Sequence, residues 1–202
     1  MRKCSDFIFV ITWPYGLVKG ANSWYDYFLS NHKSYNFGHT ALILVNSKNG
    51  SSYYFDFGRF QGQEKFGIIR DSSLEKKLRI HTKAEVYQGD IQNAEQIINE
   101  INNNSSTKDL FPNSSKQIMY AATIKNIDFE KSYKCIKDMM NKSYKYGPFV
   151  KNGLTCGRFV YKVVNKSNAS VTDKFRTTLF DMLIRIKFFE KICVKFYFKK
   201  VS

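Results

Sequence analysis

The sequence predicts an α+β fold, a mainly antiparallel sheet packed against helices, and three observations carry that expectation. Short runs rich in β-branched and aromatic residues fill most of the first ninety positions. Helical spacing of apolar residues becomes dominant only after them, from about residue 90. The two patterns do not alternate as βαβ units would, so a parallel sheet with crossover helices is not expected. At 202 residues, 43% hydrophobic and 16% aromatic, the chain has the length and apolar content for one buried core, which excludes intrinsic disorder. Three prolines and eleven glycines exclude collagen-like and low-complexity classes. Neither a repeat nor a linker divides the chain. Residues 1–170 therefore read as one domain, with 171–202 as a basic amphipathic segment packed on that domain or on a membrane surface.

The elements follow in order. Phe7 to Trp13 is a β-rich run stopped by Pro14. Asn22 to Ser30 has the spacing of a short amphipathic helix capped by Asn22 or Ser23. His39 to Val45 is almost continuously apolar, as in a strand covered on both faces, and Asn49-Gly50 signals a hairpin into Tyr53 to Phe57. Short strands are expected at Ile68 to Asp71, Leu78 to Thr82, Lys83 to Tyr87 and Gln117 to Ile124. A helix is expected from Asp90, with Ile91, Ala94, Ile98 and Ile101 on its buried face. Asp128 caps a second helix with a stripe of Phe129, Tyr133, Ile136, Met139 and Met140. A third begins at Cys156, where Phe159, Val160 and Val163 take up helical spacing after a loop containing Gly147 and Gly153.

Lys and Arg number 32 against 17 Asp and Glu, a net charge of +15, which points to an anionic partner or surface before any chemistry is considered. The four cysteines, Cys4, Cys135, Cys156 and Cys193, form no CxxC pair and no metal-ligand spacing with His32, His39 or His81, so neither metal nor cofactor is expected and a reducing compartment fits. Arg2 and Lys3 precede an apolar run, but Phe7 to Thr12 is short for a signal peptide and Trp13-Pro14-Tyr15 stands where a small-residue cleavage site would be. No stretch of about 18 uncharged apolar residues is present to span a bilayer. Together these place the protein in the cytoplasm, with peripheral membrane contact as the variant.

Three residues stand out as candidate chemistry. Cys156 on the first turn of a helix lies where free N–H groups and the helix dipole favour a thiolate, and the same N–H groups can form an oxyanion hole. Thr155 can cap that helix, and Gly157 leaves room for a substrate carbonyl. A lone cysteine is more often a small core residue, so the partners matter. His39 opens an apolar strand behind Phe37-Gly38, from which its imidazole can point off the sheet into a cleft; the alternative is a core histidine bonded to a backbone carbonyl. His81 and His32 read as solvent-facing. Asp56 sits inside the aromatic run Tyr53 to Phe57, where a carboxylate needs a partner: either it orients the imidazole, or it forms a salt bridge to Arg59 or Arg70.

Gly38-His39 opening an apolar strand, a hairpin, a second strand carrying Asp56, and Cys156 on a late helix resemble the circularly permuted papain-like proteins. These include the permuted NlpC/P60 branch, the lecithin:retinol acyltransferase-like enzymes and the PPPDE-type peptidases. The resemblance spans roughly residues 37–165 and implies a permuted papain-like fold in which His39 matches the catalytic histidine, Cys156 the nucleophile and Asp56 the orienting residue. It departs from the family where Thr155 replaces the usual Asn before the cysteine and Asp56 stands where a His is common. Thr12-Trp13-Pro14, Gly38-His39 and the run Phe55 to Arg59 are also similar to uncharacterised bacterial proteins, and Trp13 joins Thr155 and Gly157 as a candidate for contacting substrate.

Such a site implies a cysteine hydrolase acting on an amide or peptide bond through a Cys156 thioester, with His39 as general base. An amine or alcohol as second acceptor would make it an acyltransferase. Two other readings stay open. From Lys174 to Lys200 eight basic and two acidic residues are interleaved with apolar ones, a pattern shared by a lysine-coated terminal helix and strand and by anionic-membrane contacts, which admits a lipid acyltransferase or phospholipase. The third is a noncatalytic basic module that binds nucleic acid or an acidic protein and keeps the papain-like fold without its chemistry; no known nucleic-acid motif appears, so specific nucleic-acid binding is not expected.

Overall fold

The computed structural model describes residues 6–14, 18–19, 34–35, 38–60, 66–108, 118–147, 150–184 and 199–201. The helix expected at Asn22 to Ser30, His32, Cys4, Cys193 and the alternating run from Val194 lie outside the described residues.

Seven strands make one sheet. They are β1 (Asp6–Trp13), β2 (His39–Asn46), β3 (Ser51–Gly58), β4 (Phe66–Arg70), β5 (Met119–Ile127), β6 (Tyr144–Lys145) and β7 (Lys199–Val201). Their order is β6-β4-β3-β2-β1-β5-β7 and every pairing is antiparallel. The near-continuous apolar runs of β1 and β2 place them in the middle, buried along almost their whole length. The β2–β3 hairpin turns at Gly50, whose φ of +70° is left-handed.

The helices are α1 (Ala94–Asn102), α2 (Ser105–Lys108), α3 (Phe129–Met140), α4 (Cys156–Lys166) and α5 (Val171–Ile184). The pleat sends alternate side chains to two cores. Ile8, Val10, Leu42, Leu44, Phe55 and Phe57 pack against Ile136, Phe159 and Val163 of α3 and α4. Phe9, Ile11, Ala41, Ile43 and Tyr54 pack against Leu78 and the Ile97, Ile98 and Ile101 face of α1. Of the stripe expected on α3, Phe129, Ile136 and Met139 are buried while Tyr133 and Met140 are half-buried beside them. The described parts of the C-terminal segment sit on this domain: α5 packs on α4, and β7 pairs with Met119–Ala121 of β5. No helix among the described residues is long and apolar enough to cross a membrane.

Three expectations are corrected between residues 76 and 93. Leu78 to Thr82 and Lys83 to Tyr87 do not form strands in the sheet; Lys76–Leu78 is a 3-10 turn, Arg79 makes a single antiparallel bridge to Tyr53 of β3, and Val86–Tyr87 pairs in a small ribbon with Asp90–Ile91. Side chains satisfy this backbone instead of a ladder. The Glu100 carboxylate accepts from the N–H groups of His81 (2.7 Å) and Thr82 (3.0 Å), and Asn93 accepts from Glu85 N–H (2.9 Å) while donating to Lys83 C=O (2.7 Å). His81 is exposed as expected, though not on a strand. With Asp90 and Ile91 used in the ribbon, α1 starts at Ala94 rather than Asp90.

Candidate active site

Four neighbouring strands each bring one side chain to a line across the same end of the sheet. Trp13 of β1 pairs directly with His39 of β2. Ala41 pairs with Asp56 of β3, so His39, two residues earlier, lies on the diagonal from that carboxylate. Asp56 in turn pairs directly with Arg70 of β4. Gly38, with a φ of +79°, makes the left-handed turn that delivers His39 as the first residue of its strand.

The contacts follow from that register. His39 Nε2 lies 2.9 Å from Asp56 Oδ2. Arg70 grips the same carboxylate with both prongs, Nε to Oδ1 at 3.0 Å and a terminal nitrogen to Oδ2 at 2.8 Å, and the Tyr54 hydroxyl donates to Oδ2 at 2.9 Å. The two readings left open for Asp56, imidazole orienter and salt-bridge partner of Arg70, are thus both occupied at once. A buried carboxylate with four donors is fully compensated, which is why it can sit in the middle of an aromatic strand. Trp13 is fully buried, stacks on the imidazole (5.9 Å, 23° between planes) and donates its indole N–H to Asn102 Oδ1 at 3.1 Å.

Cys156 comes from the opposite layer. Helix α4 lies across β2 and β3, and its N-terminus is set by the Thr155 hydroxyl, which accepts from Arg158 N–H at 3.2 Å. The turn before it is closed by Leu154 N–H to Lys145 C=O (2.8 Å) and by Arg158 reaching back to Gly153 C=O (3.0 Å). Helix geometry leaves the N–H groups of Cys156 and Gly157 without intrahelical partners. Cys156 is buried, 6% exposed, and hydrogen bonding and charge from it are among the influences that raise the His39 pKa. With Nε2 engaged by Asp56, Nδ1 is the ring nitrogen left for the sulfur.

Electrostatics favour a charged imidazole. Burial works against protonation of His39, but hydrogen bonds and charge from Asp56 and Cys156 outweigh it and lift the pKa from 6.5 to about 9. For Asp56 burial again opposes the charged form, and His39 and Arg70 overcome it, holding the carboxyl down at about 2. Among the described residues no group of three or more His, Cys, Asp or Glu side chains is arranged to hold a metal ion. The other described cysteine, Cys135, is half-buried on α3, and burial raises its thiol pKa.

The TseH-like type VI secretion system effector family matches residues 8–172, which includes every residue of this constellation. The chain belongs to that family. Among solved structures it is similar to the crystal structure of the type VI secretion system effector TseH, with a TM-score of 0.52 at 16% identity over 79% of this chain and 75% of that one. At that identity the likeness shows a shared mixed α and β fold. No curated protein matches the chain.

Tyr54, Arg70 and Phe60 are the neighbours that sequence reasoning did not assign to the site. The Phe60 ring meets the His39 ring edge-on at 6.0 Å and lies under the Arg70 guanidinium, 3.4 Å from Cζ to the ring centre. The signal was present in Phe55-Asp56-Phe57-Gly58-Arg59-Phe60, where an alternating strand is followed at once by a glycine and another aromatic.

Proposed function

We propose that this TseH-like chain is a cysteine-dependent hydrolase of an amide or peptide bond, acting as an effector and built on a permuted papain-like arrangement. The observation that carries the reading is the buried Cys156–His39–Asp56 constellation, in which the imidazole is held by a carboxylate on one side and faces a thiol on a helix N-terminus on the other.

The chemistry follows from the parts. His39 takes the thiol proton, the Cys156 thiolate attacks the acyl carbon, and the N–H groups of Cys156 and Gly157 stabilise the negative oxygen that develops. His39 gives its proton to the leaving amine, and the acyl group stays on sulfur as a thioester. Neutral His39 then takes a proton from water as the water attacks, and returns it as the thiol departs. Asp56 keeps the ring in one tautomer and orientation throughout. Trp13 limits movement of the ring on its other face.

Reaction with iodoacetamide, followed by intact-mass and peptide mass spectrometry, tests this reading without a known substrate. Cys156 is expected to be alkylated faster than Cys135, and His39→Ala is expected to remove the difference. Equal rates at the two cysteines in the unaltered protein would contradict it.

A further inference from the structure

We propose that Arg70 and Phe60 are positioning residues of this site, joining the His39–Asp56 pair into a closed circuit of four side chains that fixes both the carboxylate and the imidazole. The proposal rests on the catalytic reading above for its purpose, but its geometry stands separately.

The circuit can be traced contact by contact. His39 Nε2 meets Asp56 Oδ2 at 2.9 Å, and Arg70 takes both oxygens of Asp56 at 3.0 and 2.8 Å. The same guanidinium lies over Phe60, its Cζ 3.4 Å from the ring centre, and Phe60 meets His39 edge to face at 6.0 Å and 87°. A forked guanidinium defines the plane of a carboxylate as a single ammonium cannot, since two parallel hydrogen bonds leave no rotation about the pair. Asp56 is fully buried and Arg70 is 8% exposed, so water does not weaken that grip. The face of the Phe60 ring attracts the guanidinium and the same ring packs on the imidazole, so displacement of any member moves the others.

Gly58 makes the return contact sterically feasible. A Cβ at position 58 would lie 2.6 Å from the far end of the Phe60 ring, so any larger residue there pushes that ring away. The obstruction is the tip of one side chain rather than backbone. Gly58→Ala therefore displaces Phe60 without removing any charged group.

The experiment uses the full chain and three variants, Arg70→Gln, Arg70→Lys and Gly58→Ala. Two readouts are followed: the Cys156 alkylation rate relative to Cys135 with iodoacetamide, and the pH titration of the His39 ring signals by NMR, identified among the three histidines with His39→Gln. Arg70→Gln is expected to slow Cys156 alkylation about tenfold or more, as misplacement of a catalytic group does. It is also expected to move the acid inflection of the His39 signals, which marks protonation of Asp56, upward from about 2 toward the ordinary 3.8. Arg70→Lys keeps the charge and restores most of that inflection, but leaves alkylation slow because the fork is gone. Gly58→Ala leaves the inflection in place and slows alkylation. Wild-type alkylation and an unmoved His39 titration in cooperatively folded Arg70→Gln and Gly58→Ala would overturn the proposal. If Arg70→Gln does not fold, Arg70→Lys and Gly58→Ala decide by the same readouts. If Cys156 of the unaltered protein reacts no faster than Cys135, the catalytic reading fails, and the His39 titration still decides whether Arg70 positions the pair.

Discussion

Asp56 Oδ2 stands 2.9 Å from His39 Nε2 at a point where neither residue meets solvent, so each holds the other in its charged form. The linkage to stability has opposite signs at the two ends of the pH scale. Asp56, depressed from 3.8 to about 2, contributes stability above its unfolded value that is lost as pH falls through the folded one. His39, raised from 6.5 to about 9, contributes stability that is complete below 6.5 and is lost as pH rises through the folded value. Urea midpoints across pH are expected to be highest between these limits, and His39→Gln is expected to flatten the decline between 6.5 and 9. An unaltered decline in that variant would place its origin elsewhere.

Thr155→Ala removes the hydroxyl that accepts from Arg158 N–H at the start of α4. Losing such a cap costs about 1 kcal/mol, measurable by urea unfolding. Because the same turn carries Cys156, alkylation of that thiol is expected to slow as well. Thr155→Ser retains the oxygen and is expected to restore both.

Gly67→Ala introduces a Cβ that clashes with the tip of the Phe57 ring, which stacks on Tyr146 at 5.8 Å. The neighbouring rings are packed on both sides, so relief requires them to shift together. Overpacking of this kind costs about 1–3 kcal/mol. Thermal unfolding of the variant is expected at a lower temperature, with Cys156 still reactive in the folded state.

Asn93→Leu leaves Glu85 N–H and Lys83 C=O without the partners that hold the chain ahead of α1. The segment from His81 to Glu85 is then retained by Glu100, by the Ala84 N–H bond to Gly50 C=O, by the Gln92 N–H bond to Glu85 C=O and by Lys83 on the Ser51 hydroxyl. Limited proteolysis is expected to cut there first, while the core sheet remains intact. Resistance equal to the unaltered protein would show that these remaining bonds suffice without Asn93.

Those same side chains explain what the sequence left hidden. The alternating segment after Leu78 has the period of a strand, but period says nothing about whether a backbone finds its partners in a ladder or in Asn93 and Glu100. By contrast β1, β2 and the β2–β3 hairpin were legible, because an unbroken apolar run and an Asn-Gly turn have few other places to go. The start of α4 was legible for a similar reason: Thr155 and the spacing of Phe159, Val160 and Val163 are local signals. His39, Asp56 and Cys156 were visible as residue types in suggestive positions, and their proximity came from strand register, which no local pattern encodes. Arg70 entered the reading only as a competing partner for Asp56. Its place directly across β3 from that carboxylate, and the fold-back of Phe60 over it, depend on pairing and on Gly58.

Acyl transfer to the enzyme tests the central claim most directly. With p-nitrophenyl acetate as an activated acyl donor, the account predicts a rapid release of nitrophenolate stoichiometric with protein. It further predicts an acetyl group on Cys156 that hydroxylamine removes, and loss of the burst in Cys156→Ser and His39→Ala. No burst, or acetyl groups spread over Cys135 and surface lysines at the same rate in all three proteins, would contradict it.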